Sequence, residues 1–150
     1  MPRDRDSCIR QVKIIEREFA AARTAIEFFL RNIRRDPTLL KNPVEVKDVD
    51  DAEDRLERTY LIRLFAEFEM IVRGYFRATY RRRPPARTRD LLDSVGARRG
   101  VTAELVGDAH RVREYRNQLI HEPDADMQAI SIAESRSRLC KFLSYLPIRW

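Results

Sequence analysis

From Ser7 to about Arg34 the apolar side chains Val12, Ile15, Phe19, Ala22, Ile26, Phe29, Leu30 and Ile33 recur at steps of three and four. That spacing is the period of a helix with one apolar face, and Ser7 is placed to cap its first turn. Asp36-Pro37 and Asn42-Pro43 then interrupt the pattern, because a proline disfavours helical geometry in the residue before it. Residues 35 to 51 are therefore expected to form a loop, with at most a short turn at Leu39-Leu40, and the acidic run from Asp48 to Asp54 leads into the next periodic segment.

A second long helix is predicted from about Ala52 to Arg82. Leu56, Tyr60, Leu61, Leu64, Phe65, Phe68, Ile71, Val72, Tyr75 and Phe76 cover a wider arc than one neighbouring helix needs, so this element should be central or shared with a partner subunit. Arg83-Pro84-Pro85 ends it. Thr88 can cap a short helix through Leu91, Leu92 and Val95, closed by Gly96 and Gly100. A further helix runs from about Thr102 to Ile120 and must stop there, since Pro123 pushes Glu122 out of helical geometry. The last starts at Ser131, where Ser131-Ile132-Ala133-Glu134 has the form of a capping box, and its apolar Leu139, Phe142, Leu143 and Leu146 end at Pro147. No segment sustains a period of two, and there is no internal repeat. The expected fold is all-α, a single domain over residues 1–150 built as a bundle of four long helices plus a short one.

Length agrees with one domain, since 150 residues can bury a core of ordinary stability. Charge adds a direction. Basic residues number 30 against 24 acidic, and all but four of the 30 are arginine, the side chain best suited to planar, bidentate contact with phosphate or carboxylate. Cys8 and Cys140 sit at opposite ends of the chain with no CxxC and no histidine at ligand spacing, so both read as small apolar fillers, and neither a metal site nor a bound cofactor is expected. The start, Met1-Pro2-Arg3-Asp4-Arg5-Asp6, is charged, which argues against a secretory signal, and no stretch has the length and apolarity to span a bilayer. A cytoplasmic protein without a membrane partner is the expectation.

Candidate chemistry gathers in Tyr115-Arg116-Asn117-Gln118-Leu119-Ile120-His121-Glu122. On an ideal helix Tyr115, Leu119, Val112, Leu105, Arg116, Ala109 and Ile120 fall within an arc of about 140°, so Arg116 lies inside the apolar stripe. A buried guanidinium without a partner costs several kcal/mol, so either an acid from a neighbouring helix meets it or the stripe faces a cleft or subunit seam that admits an anion. Glu69 and Glu67 of the second long helix are the in-chain candidates. Asn117 and His121, four apart, share a helix face, and the helix C-terminus favours a cation at His121. An imidazole so placed can serve as an acid-base group or simply as a helix cap.

This constellation resembles the HEPN family, small helical domains that include metal-independent ribonucleases and carry an Arg, four to six residues, then His, with Asn commonly after the Arg. Here Arg116 and His121 enclose four residues and Asn117 follows the arginine. The resemblance extends over residues 52 to 146, through the long helix with acids amid apolar residues (Leu64-Phe65-Ala66-Glu67-Phe68-Glu69), the basic helix ending in Arg-Asn…His, and the capped last helix; residues 7 to 34 fit as the family's first helix. It implies a HEPN-like bundle and a two-fold homodimer that brings two motifs into one cleft. His121 would move protons at an RNA 2′-hydroxyl or leaving 5′-oxygen, Arg116 would stabilise the phosphorane, Asn117 would orient the phosphate or the imidazole, and Glu69 would hold Arg116. A toxin or defence role follows, with RNA as substrate and a protein antitoxin as a further partner. Some HEPN toxins have a tyrosine two residues after the histidine that a nucleotidyltransferase antitoxin modifies, whereas this chain has Pro123.

Arg73, Arg77, Arg81, Arg82, Arg83, Arg87 and Arg89, interleaved with Tyr75, Phe76 and Tyr80, together with Arg113, supply candidate contacts to an RNA backbone, or a solvated helix end; Tyr75 and Phe76 read as core. His110 reads as a surface residue. The rival functional reading is a non-catalytic HEPN-like module that binds RNA, a nucleotide or a protein, and a third is an interaction bundle in which 115–122 is only a helix end.

Overall fold

The computed structural model describes residues 4–122 and 128–150, and Pro123 lies outside them. Within those residues the chain is a helical bundle with no strand, its five helices being α1 (Arg5–Arg35), α2 (Val46–Tyr80), α3 (Thr88–Arg99), α4 (Ala103–His121) and α5 (Ile132–Leu143). No helix among them is long and apolar enough to cross a membrane. α2 packs against all four of the others, as its wide apolar arc demands. Its buried face, Leu64, Phe65, Phe68, Ile71, Val72, Tyr75 and Phe76, joins Cys8, Val12, Ile15 and Phe19 of α1, Leu91, Leu92 and Val95 of α3, Ala109 and Val112 of α4, and Ile132, Leu139, Phe142 and Leu143 of α5 in one cluster.

α1 and α2 run antiparallel, and two ion pairs mark the register: Arg63 with Glu18, and Arg34 with Asp50 at 2.6 Å. Arg136 of α5 reaches Glu16 of α1 at 2.7 Å. Glu57 of α2 caps α5 from the side, its Oε1 accepting from the Ile132 amide at 3.0 Å, while Ser131 Oγ accepts from Glu134 N at 3.1 Å. One α5 donor is thus satisfied from within its own turn and another by a neighbouring helix.

Several boundaries differ from the sequence expectation. α1 begins before Ser7, because Asp4 is an equally good cap one turn earlier; its carboxylate accepts from the Asp6 amide and from Ser7 Oγ. α2 begins at Val46, so the expected loop shrinks to residues 36–45 and its short turn is a 3-10 turn over Pro37–Leu39. The acidic run is helical because acids suit a first turn; the Glu45 amide donates to Asp48 Oδ2 at 2.8 Å. Phe29 and Ile120, placed in apolar stripes by periodicity, are exposed. At that end of α1 Leu30 and Ile33 are the side chains turned inward, which leaves Phe29 at the edge of the buried face. α5 ends at Leu143, and the buried Leu146 belongs to the tail that follows.

Candidate active site

Arg116, Asn117 and His121 all lie on the last turns of α4. Burial of Ala109, Val112 and Leu119 fixes which side of the helix faces the core, and that rotation carries the half-buried Arg116 onto α2. Its Cζ stands 5.6 Å from the centre of the buried Phe65 ring, so the cation rests over an aromatic face. Nη1 donates to Oδ1 of the adjacent Asn117 at 2.9 Å, and Nε is buried with no partner. The charge is therefore solvated by an amide and a ring and neutralised by no carboxylate among the described residues.

The expected pairing with Glu69 is not formed. Glu69 Oε1 accepts from Arg73 Nε and Nη2 at 2.9 and 2.7 Å and from Thr88 Oγ1 at 2.7 Å. Arg73 stands four residues further along the same helix, at the spacing where side chains meet, and reaches Glu69 without any tertiary approach. Glu67 is half-buried and forms no ion pair with Arg116 either. His121 is exposed at the last residue of α4, and its ring has no hydrogen-bond partner among the described residues. Five residues along a helix correspond to about 7.5 Å of rise and about 140° of rotation, so the half-buried Arg116 and the exposed His121 leave α4 in different directions.

No protein-family model matches the chain, and no curated protein and no solved structure proves similar to it.

The candidate RNA-contacting arginines do not form a single track. Arg73, besides holding Glu69, donates to the carbonyls of Pro85 and Ala86 at 2.7 and 3.0 Å, so it braces the connection between α2 and α3. Arg77 lines a shallow recess beside it with Ala66, Met70 and Gly74. Arg82 and Arg83 border a different cavity, beyond the end of α2. Arg81 is the left-handed cap of that helix, at φ 49°. Arg87 and Arg89 flank the start of α3 and are exposed. The Arg113 side chain is 16% exposed; its Nη2 donates to Glu114 at 3.1 Å and its Nε is buried without a partner, so little of it is offered to a strand of RNA.

His110 corrects the reading of it as a surface residue. It is 18% exposed, and its Nε2 shares a 2.6 Å hydrogen bond with Asp93 of α3 while Nδ1 is buried and unpartnered. Asp93 lies 17 residues away, a distance at which local spacing carries no signal. Cys8 is buried in the core, and Cys140 packs against it, with burial pushing its thiol pKa up. Both thus sit where an unreactive apolar filler would.

Proposed function

We propose that this chain is a metal-independent endoribonuclease of HEPN type, a toxin or defence component acting as a homodimer on RNA. The observation that carries the reading is the Arg116 guanidinium, held over Phe65 by Asn117 without a neutralising carboxylate. A cation kept half out of water and unpaired costs free energy that an incoming phosphate would recover. Met70 of α2 and Ile120 of α4 are exposed apolar side chains on the two helices of the site, and the proposed second copy would cover them.

In the proposed reaction the RNA 2′-oxygen attacks phosphorus, its proton passing to an imidazole of His121, and the bond to the 5′-oxygen breaks as that oxygen takes a proton from a protonated His121. Arg116 stabilises the added negative charge of the phosphorane, and Asn117 fixes the arginine. The products are a 2′,3′-cyclic phosphate and a free 5′-hydroxyl. The rival reading, a non-catalytic module that binds a phosphate-bearing partner, draws on His121, whose ring nothing orients among the described residues.

Purified protein incubated with single-stranded RNA in EDTA is expected to generate 2′,3′-cyclic phosphate ends. Arg116→Ala and His121→Ala should each slow cleavage by about a hundredfold or more. Unchanged cleavage in both variants overturns the proposed site, and RNA binding without turnover in the parent chain establishes the rival.

A further inference from the structure

At the end of α2 the chain leaves the helix through Arg81, whose left-handed cap turns it sharply, and then runs Arg82-Arg83-Pro84-Pro85. Two prolines in succession hold this segment extended, and Pro84 is buried against the body of the protein. Between the segment and α3 lies a cavity of about 520 Å³. Its floor is Phe76 and Tyr80, one wall is Pro85, and Arg82, Arg83 and Arg98 stand around it. No acidic residue lines it, and none of these three arginines belongs to an ion pair among the described residues.

The aromatic floor is fixed rather than loose. Tyr80 packs on Phe76 with ring centres 4.8 Å apart and edge-on to Tyr75 at 6.0 Å, and its hydroxyl lies 3.4 Å from that of Tyr75. Arg98 Cζ sits 4.6 Å over the Tyr80 ring, which holds this exposed guanidinium at the edge of the cavity. Three like charges around one hollow repel each other, and the arrangement becomes favourable when a polyvalent anion enters. Arginine forks match phosphate oxygens, and the ring and proline faces beside them suit a planar, weakly polar group. The volume falls in the range of small-ligand sites.

We infer that this cavity is a binding site for a free nucleoside di- or triphosphate, with the phosphates on Arg82, Arg83 and Arg98 and the base against Pro85 and the part of Tyr80 that Arg98 leaves uncovered. The site stands apart from Arg116 and does not depend on the nuclease reading.

Calorimetric titration of the full chain with ADP, pyrophosphate and adenosine tests it. ADP should saturate one site and bind about tenfold or more tightly than either fragment, since base stacking and phosphate contact each contribute. The double variant Arg82→Ala, Arg83→Ala, made at exposed positions that leave the core intact, should weaken ADP by about tenfold or more, and Arg98→Ala should act in the same direction. Arg116→Ala should leave ADP affinity unchanged. The inference is overturned if ADP fails to saturate in the millimolar range, if pyrophosphate binds as well as ADP, if the double variant binds normally, or if Arg116→Ala abolishes binding. A short 5′-phosphorylated RNA that binds far more tightly than ADP would reassign the cavity to a strand end.

Discussion

Glu69 and Arg116 sit on neighbouring helices, and the difference in their surroundings decides what each can do. Glu69 receives three donors from Arg73 and Thr88, all on Oε1, whereas Arg116 has one amide oxygen and one ring face. The first arrangement stabilises the connection between α2 and α3; the second leaves a charge available. Glu69→Ala would leave Arg73 with the Pro85 and Ala86 carbonyls and a long contact to Thr88 Oγ1 as acceptors, and it should lower stability by about 2 kcal/mol, read as a shift in the urea midpoint at constant m-value. Arg116→Ala removes an unneutralised cation and should cost less than about 1 kcal/mol, while slowing the proposed cleavage by about a hundredfold or more. A Glu69→Ala variant that keeps full stability would show the three hydrogen bonds to be worth no more than their solvated alternatives.

At the scale of helices, α3 and α4 approach so closely that one glycine sets the limit. They are joined by the short turn through Gly100, at φ 64°, and the Val101 amide donates back to the Gly96 carbonyl at 2.9 Å. A Cβ added at Gly96 would stand 2.7 Å from Val106 Cγ2, and valine is stiff at χ1, so the neighbour has little freedom to move aside. Gly96→Ala should therefore destabilise the protein by about 1–2 kcal/mol, even though alanine is the better helix former by about 1 kcal/mol. Thermal unfolding measures the sign, and a raised midpoint would mean that the helices part freely. The same pair shows what could be read from the residues alone. Gly100 marks the end of α3 by local conformational preference, whereas Gly96, expected to help close that helix, lies inside it at the contact with α4; the apolar steps in α1, α2, α4 and α5 mark their faces, so all five helices were legible. The start of α2 was not, since an acidic run suits a solvated loop and a first helical turn alike. The Asp93–His110 bond and the true partner of Glu69 depend on choices among neighbours, and only for Glu69 did the chain carry a signal, in Arg73 four residues on. The Arg-Asn…His motif itself was legible because it lies within eight consecutive residues; the cavity at Tyr80 was not, because Arg98 joins it from another helix.

Across the whole molecule, the two ends of the chain close the bundle on each other. The Arg5 amide donates to the Ile148 carbonyl at 2.9 Å, its guanidinium reaches the carbonyls of Ser144 and Leu146 at 3.2 and 3.3 Å, and Asp4 pairs with Arg149 in an isolated antiparallel bridge. Trp150 lies edge-on to Tyr75 with ring centres 5.4 Å apart. Tyr75 also holds Tyr80, so Trp150 of the tail and the aromatic floor of the cavity are linked through one fully buried ring. Trp150 is half-buried, and truncating it should cost about 2 kcal/mol, below the range for a fully buried tryptophan. The loss should be local before it is global: with the tail freed, the Arg5 amide loses its acceptor and exchanges its hydrogen faster, while amides at the centre of α2 slow or quicken only with overall stability. Hydrogen exchange on Trp150→Ala distinguishes the cases. Arg5 protection that falls only in step with the centre of α2 would show that the tail is no independent clasp and that its contacts follow from the helices already being packed.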